Sequence, residues 1–66
     1  MTAQQPNPKR LLRLKVAADY LSLSPGKLRA IVQAGELQVV KIGEGAPWLL
    51  DVRDLDLWVE RHKETL

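Results

Sequence analysis

Between Ser24 and Gln33 the sequence sets two cations, Lys27 and Arg29, among residues with almost no side chain, Gly26 and Ala30. Four further cations, Lys9, Arg10, Arg13 and Lys15, gather just upstream. Positive side chains beside small ones suit close approach to an anionic surface. They include no nucleophile, no general base and no metal ligand. The division of charge agrees. Residues 1–35 carry six cations and one carboxylate, net +5, and residues 36–66 carry four cations and seven carboxylates, net −3. The overall charge of +2 conceals this asymmetry, which points to a polyanion partner for the basic half.

Other candidate chemistry is weaker. Asp51, Asp54 and Asp56 lack the glycine turn and distant glutamate of a calcium loop, and helix capping explains them better. Ser22, Ser24 and His62 make no credible triad, because Ser24 is needed as a cap. The chain has no cysteine and a single histidine, so neither a disulfide frame nor a zinc site is expected. No catalytic residue, metal or cofactor is assigned, and an enzyme is the least favoured class. The 66 residues allow one domain, in which only about 60% of the unfolded surface becomes buried. The longest apolar stretch, Ala46 to Leu50, is far short of the roughly 20 residues of a membrane span. The first five residues lack the charged start and apolar block of a signal peptide. A reducing cytoplasm is therefore the expected compartment, in association with the nucleoid, with no membrane contact.

The elements that must position these residues are legible from spacing and caps. Residues 1–8, polar and punctuated by proline, read as part of a flexible basic arm over 1–10, ahead of a domain over 11–66. Leu11 and Leu12 open a short extended segment. Leu14, Ala17, Ala18 and Leu21 fall on one helical face, although Arg13 stands where a capping side chain would be expected. Ser22-Leu23-Ser24 breaks the helix. Ser24 caps a second helix with Pro25 at its first position, and Leu23 and Leu28 form a hydrophobic staple. Leu28, Ile31 and Val32 mark its buried face, and Gly35 ends it in a left-handed conformation. Gln38–Ile42, the turn residues 43–47 and Trp48–Leu50 read as a β-hairpin. Asp51 caps a third helix, stapled by Leu50 and Leu55. Helix, turn, helix, hairpin, helix is a small α+β fold, the winged helix-turn-helix.

Leu14-Lys15-Val16-Ala17-Ala18-Asp19-Tyr20-Leu21-Ser22-Leu23-Ser24 resembles the first helix and turn of the excisionase and MerR-type winged-helix DNA-binding domains. Ser24-Pro25, Leu28-Arg29 and Gly35 with Leu37 resemble the recognition helix of the MerR type. Trp48, Asp54-Leu55 and Trp58 resemble the end of the excisionase module. Together these span about residues 11–60. Ser22 stands where such domains often have glycine, and Lys27 where they usually have threonine. The wing also differs, with Glu44 at its tip and no cation between Lys41 and Arg53. The resemblance therefore carries no contacts of the wing tip over.

A helix-turn-helix of this type implies double-stranded DNA as partner, with the second helix (about 25–34) in the major groove. At about 100° per residue, the face opposite Leu28, Ile31 and Val32 centres on Gly26, Ala30 and Gln33. These are the expected base-facing residues, with Gln33 suited to adenine and the Ala30 methyl to thymine. Lys27 and Arg29 flank them toward phosphate, joined by Arg13, Lys15 and Lys41. Lys9 and Arg10 are the expected arm contacts. Trp48 and Trp58 are read as core.

One small module buries only about 600–1,000 Å² on DNA, so further copies on adjacent sites are expected, together with a recombinase or integrase if the role is excisionase-like. A small transcriptional regulator is the alternative. A protein-interaction adaptor that has lost DNA affinity is a further one, supported by the acidic wing. The length leaves no room for a dimerising helix and effector domain, so no small-molecule effector is expected.

Overall fold

A computed structural model of the chain describes residues 9–66. Five elements follow one another: β1 (Leu11–Arg13), α1 (Leu14–Tyr20), α2 (Pro25–Gln33), β2 (Leu49–Asp51) and α3 (Val52–Arg61). β1 and β2 pair antiparallel, Leu11 opposite Asp51, Leu12 opposite Leu50 and Arg13 opposite Leu49. Leu49 also bridges to Val40 on its other side, with Val40 N–H to Leu49 O at 2.7 Å and the reciprocal bond at 3.0 Å. The architecture is a winged helix-turn-helix. The expected 38–50 hairpin is present as a loop closed by that single bridge, and β2 makes its extended pairing with β1. Gly43, Gly45 and Pro47 explain the short ladder, since neither residue type sustains strand pairing.

The interior is small and aliphatic: Ala17, Ala18, Leu28, Ile31, Leu37, Leu50 and Leu55 are buried. Leu12, Leu14, Leu21, Leu23, Val32, Val39 and Trp58 pack around them. Two fully buried alanines on α1 let α2 approach closely, so the helix pair is set by the smallest side chains in the core. Tyr20 then ties α1 to α3 through a 2.7 Å hydrogen bond from its hydroxyl to Asp56.

Local chemistry sets the helix ends. Arg13 precedes α1 without a capping bond, as its residue type implies. Ser24 caps α2, its Oγ accepting from the Lys27 N–H at 3.1 Å, with Pro25 at the first helical position. Asp51 caps α3 through the Arg53 N–H at 3.0 Å. α1 and α2 end alike. Leu23 N–H bonds to Ala18 O and Ser22 N–H to Asp19 O, and likewise Glu36 N–H to Ile31 O and Gly35 N–H to Val32 O. This paired closure requires a left-handed residue after the cap, and Gly35 (φ +85°) and Ser22 (φ +60°) occupy that place.

Serine is strained there and glycine is not, because a Cβ crowds the backbone at positive φ. Ser22→Gly is accordingly expected to raise stability by about 0.5–1 kcal/mol, a shift of several degrees in melting temperature. Thermal unfolding followed by circular dichroism measures it. A fall in melting temperature would contradict the strain argument.

Candidate nucleic-acid interface

α2 owes its exposed face to the frame beneath it. Leu28 and Ile31 are buried and Val32 is half-buried, which anchors one stripe of the helix. The opposite side is exposed at Gly26, Lys27, Arg29, Ala30 and Gln33. A Cβ placed on Gly26 would meet no atom of the described residues within 4 Å, and its φ is not in the left-handed region. Among the described residues neither packing nor backbone geometry therefore demands a glycine there. Lys27 makes no ion pair among the described residues, and Arg29 likewise has no carboxylate partner.

Arg29 does have a neighbour. Its guanidinium lies over the Trp48 ring, 5.3 Å from the centroid. Trp48 belongs to a groove of about 530 Å³ whose walls come from three places. Arg13, Leu14 and Lys15 come from the β1–α1 junction, Pro25 and Arg29 from α2, and Ala46, Pro47 and Trp48 from the base of the wing. Arg13, Lys15 and Arg29 thus share one concave surface that no carboxylate lines. Lys27 and Lys41 are exposed outside it. The sequence offers no local signal for this groove, because it forms only when the wing folds back on the two helices.

Two expectations change. Trp48 is half-exposed and stands apart from the core. Leu50 fills the interior position on this stretch, and Trp48, one residue before pairing begins, rests against Arg29 instead. Trp58 does pack against the core, as expected, and its indole N–H donates to Glu36 Oε1 at 3.1 Å. Arg10, read as a free arm contact, is engaged within the fold. Its Nε and one Nη reach Asp51 Oδ2 at 3.1 and 2.9 Å, and its carbonyl accepts from the Val52 N–H at 2.8 Å. Lys9 is exposed, and the rest of the expected arm, 1–8, lies outside the described residues.

Asp51 therefore does two jobs, one oxygen capping α3 and the other holding Arg10. The side-chain hydrogen bond from Arg10 and the backbone hydrogen bond from Arg53 hold its carboxyl below the ordinary carboxylate range. A carboxylate lowered in the folded state stabilises above its unfolded pKa of about 3.9, and that contribution disappears as pH falls through the folded value. The melting temperature is expected to drop in acid below about pH 4. Asp51→Asn should flatten the drop relative to the unmodified chain. An unchanged slope in Asp51→Asn would refute the assignment.

Among the described residues no helix is long and apolar enough to cross a membrane. The frame, with an exposed basic second helix and a wing beside it, defines a helix-turn-helix protein of the DNA-binding class. The family described as helix-turn-helix domain matches residues 11–63, and the chain belongs to it. Members of this class typically bind DNA and carry no enzymatic activity of their own. Comparison with curated proteins and with solved structures gives no match.

Proposed function

We propose that this protein binds duplex DNA with α2 in the major groove and acts as an excisionase-like architectural factor. Gly26, Ala30 and Gln33 face base edges, and Arg13, Lys15, Lys27, Arg29 and Lys41 face phosphates. The observation that carries the reading is the outer face of α2. It is an exposed uncharged strip, flanked by two cations that have no carboxylate partner among the described residues. A surface of this kind is matched by a groove whose floor is neutral and whose rims are anionic.

Gly26 supports the same reading. A glycine near the start of a helix lowers helix stability relative to alanine, and nothing among the described residues requires one. Close approach of the backbone to a partner supplies the reason. Gln33 is the one side chain on the strip able to make a bidentate contact with adenine, worth about 1–3 kcal/mol of discrimination. Selectivity by α2 alone is therefore modest. Shape-dependent readout and neighbouring copies supply the remainder.

Fluorescence anisotropy with a labelled duplex over a range of salt concentrations tests this. Five phosphate-facing cations give an expected slope of log affinity against log salt of about −4 to −5. A slope near zero, or no binding at low salt, would overturn the proposal and favour an adaptor. The architectural role is separated from transcriptional regulation by footprinting. The first protects sites beside a recombination junction, in several cooperative steps and with a recombinase as partner. The second protects a promoter.

A further inference from the structure

The groove between the β1–α1 junction, α2 and the wing is more organised than a scatter of surface cations. Arg13, Lys15 and Arg29 converge there from different elements, with no carboxylate in the lining. Arg29 has been oriented by the protein itself. Its guanidinium carbon lies over the Trp48 ring, 5.3 Å from the centroid, and a guanidinium held by such a cation–π contact keeps an N–H edge available for an anion. Among the described residues that edge has no acceptor in the chain. Pro25, Pro47 and Trp48 supply apolar walls. A bare inorganic anion would leave those walls unused, whereas a phosphodiester brings an apolar sugar with its charge.

We propose that this groove is a slot for one phosphodiester of a DNA duplex. Trp48 holds Arg29 with its fork toward the phosphate, Arg13 and Lys15 face the adjacent phosphates of the same strand, and Pro25 and Pro47 lie against the deoxyribose. The inference rests on the duplex binding proposed above and adds the base of the wing to the contact surface. It also gives the unusual wing a role. The tip carries Glu44, but Glu44 does not line the groove, so the strand is engaged by the wing's root while the acidic tip stands clear. Trp48 is a positioning residue in this scheme, acting through Arg29.

The chain has two tryptophans, and this makes the slot observable. In a Trp58→Phe variant Trp48 is the single indole, and its emission is expected to change on titration with duplex, at the same midpoint as the anisotropy of the labelled duplex. Duplex binding with unchanged Trp48 emission would overturn the slot and leave the proposed function standing. Absence of duplex binding by the unmodified chain would remove both. An equal emission change with a single strand, or with inorganic phosphate at matched concentration, would overturn the assignment to duplex.

A second measurement keeps Trp58 in place. Trp48→Leu and Arg29→Ala are each expected to weaken duplex binding about tenfold, and the double variant also about tenfold, because the two residues act as one unit. The salt slope should flatten by about 1 in Arg29→Ala and in Trp48→Leu alike. A role for Trp48 in the wing's structure alone would leave the slope of Trp48→Leu unchanged. Additive losses of about a hundredfold in the double variant would sink the coupling.

Discussion

Ala30→Glu is expected to weaken duplex binding by at least about a hundredfold while leaving the fold intact. Ala30 is exposed at the middle of the outward strip of α2, so the longer side chain meets solvent in the free protein. Glutamate is also a good helix former, and Lys27 three residues earlier offers it a favourable pair. In the proposed complex the same carboxylate would lie between two phosphate rims and against base edges, where it loses water and gains no partner. An unpaired charge buried at an interface costs several kcal/mol. It would also draw Lys27 away from phosphate. Circular dichroism should give a melting temperature within a few degrees of the unmodified chain, and anisotropy should give the loss. Retained affinity would mean that α2 is not the reading element.

Gly26→Ala grades the same idea. The added methyl has open space around it in the free protein, so stability should rise by up to about 1 kcal/mol. If the α2 backbone approaches DNA at this point, affinity should fall several-fold. Opposite movements of stability and affinity identify a contact surface, because a residue serving only the fold moves both together.

The second large effect is on folding. Leu50 is 0% exposed on β2 and sits where the sheet meets the helices. Leu50→Ala is expected to cost about 2–5 kcal/mol from lost burial and the cavity left behind. A domain of this size has a total stability of roughly 3–10 kcal/mol, so much of the population should be unfolded at 25 °C or melt far earlier. Urea unfolding followed by circular dichroism measures this. Leu57→Ala is the control, since Leu57 is 56% exposed on α3 and should change stability little. Similar losses at both positions would contradict the assigned core.

Most of the helical frame was legible in the residues. Ser24-Pro25 started α2, Gly35 ended it, Asp51 started α3, and the stripe of Leu28 and Ile31 was buried. The wing was only partly legible. Its turn residues marked where the chain reverses, but not that the Val40 bridge would be the hairpin's single rung while β2 paired with β1. Arg10 and Trp48 were misplaced for a related reason. Each has a polar or cationic neighbour remote in the chain, and composition is silent about such neighbours.

The sequence by itself determined both ends of α2, the start of α3, the order of the helices and the outward strip of α2. Caps and helical periodicity act within about four residues, so the deciding atoms are near neighbours along the chain. Only the tertiary structure decided that Arg10 would be held by Asp51, 41 positions away. It alone decided that Trp48 would leave the core for Arg29, and that Arg13, Lys15 and Arg29 would share one groove. These meetings depend on how the wing and β1 fold back over the helix pair. That docking is set by the summed burial of a small aliphatic core, a property that no single stretch of sequence possesses.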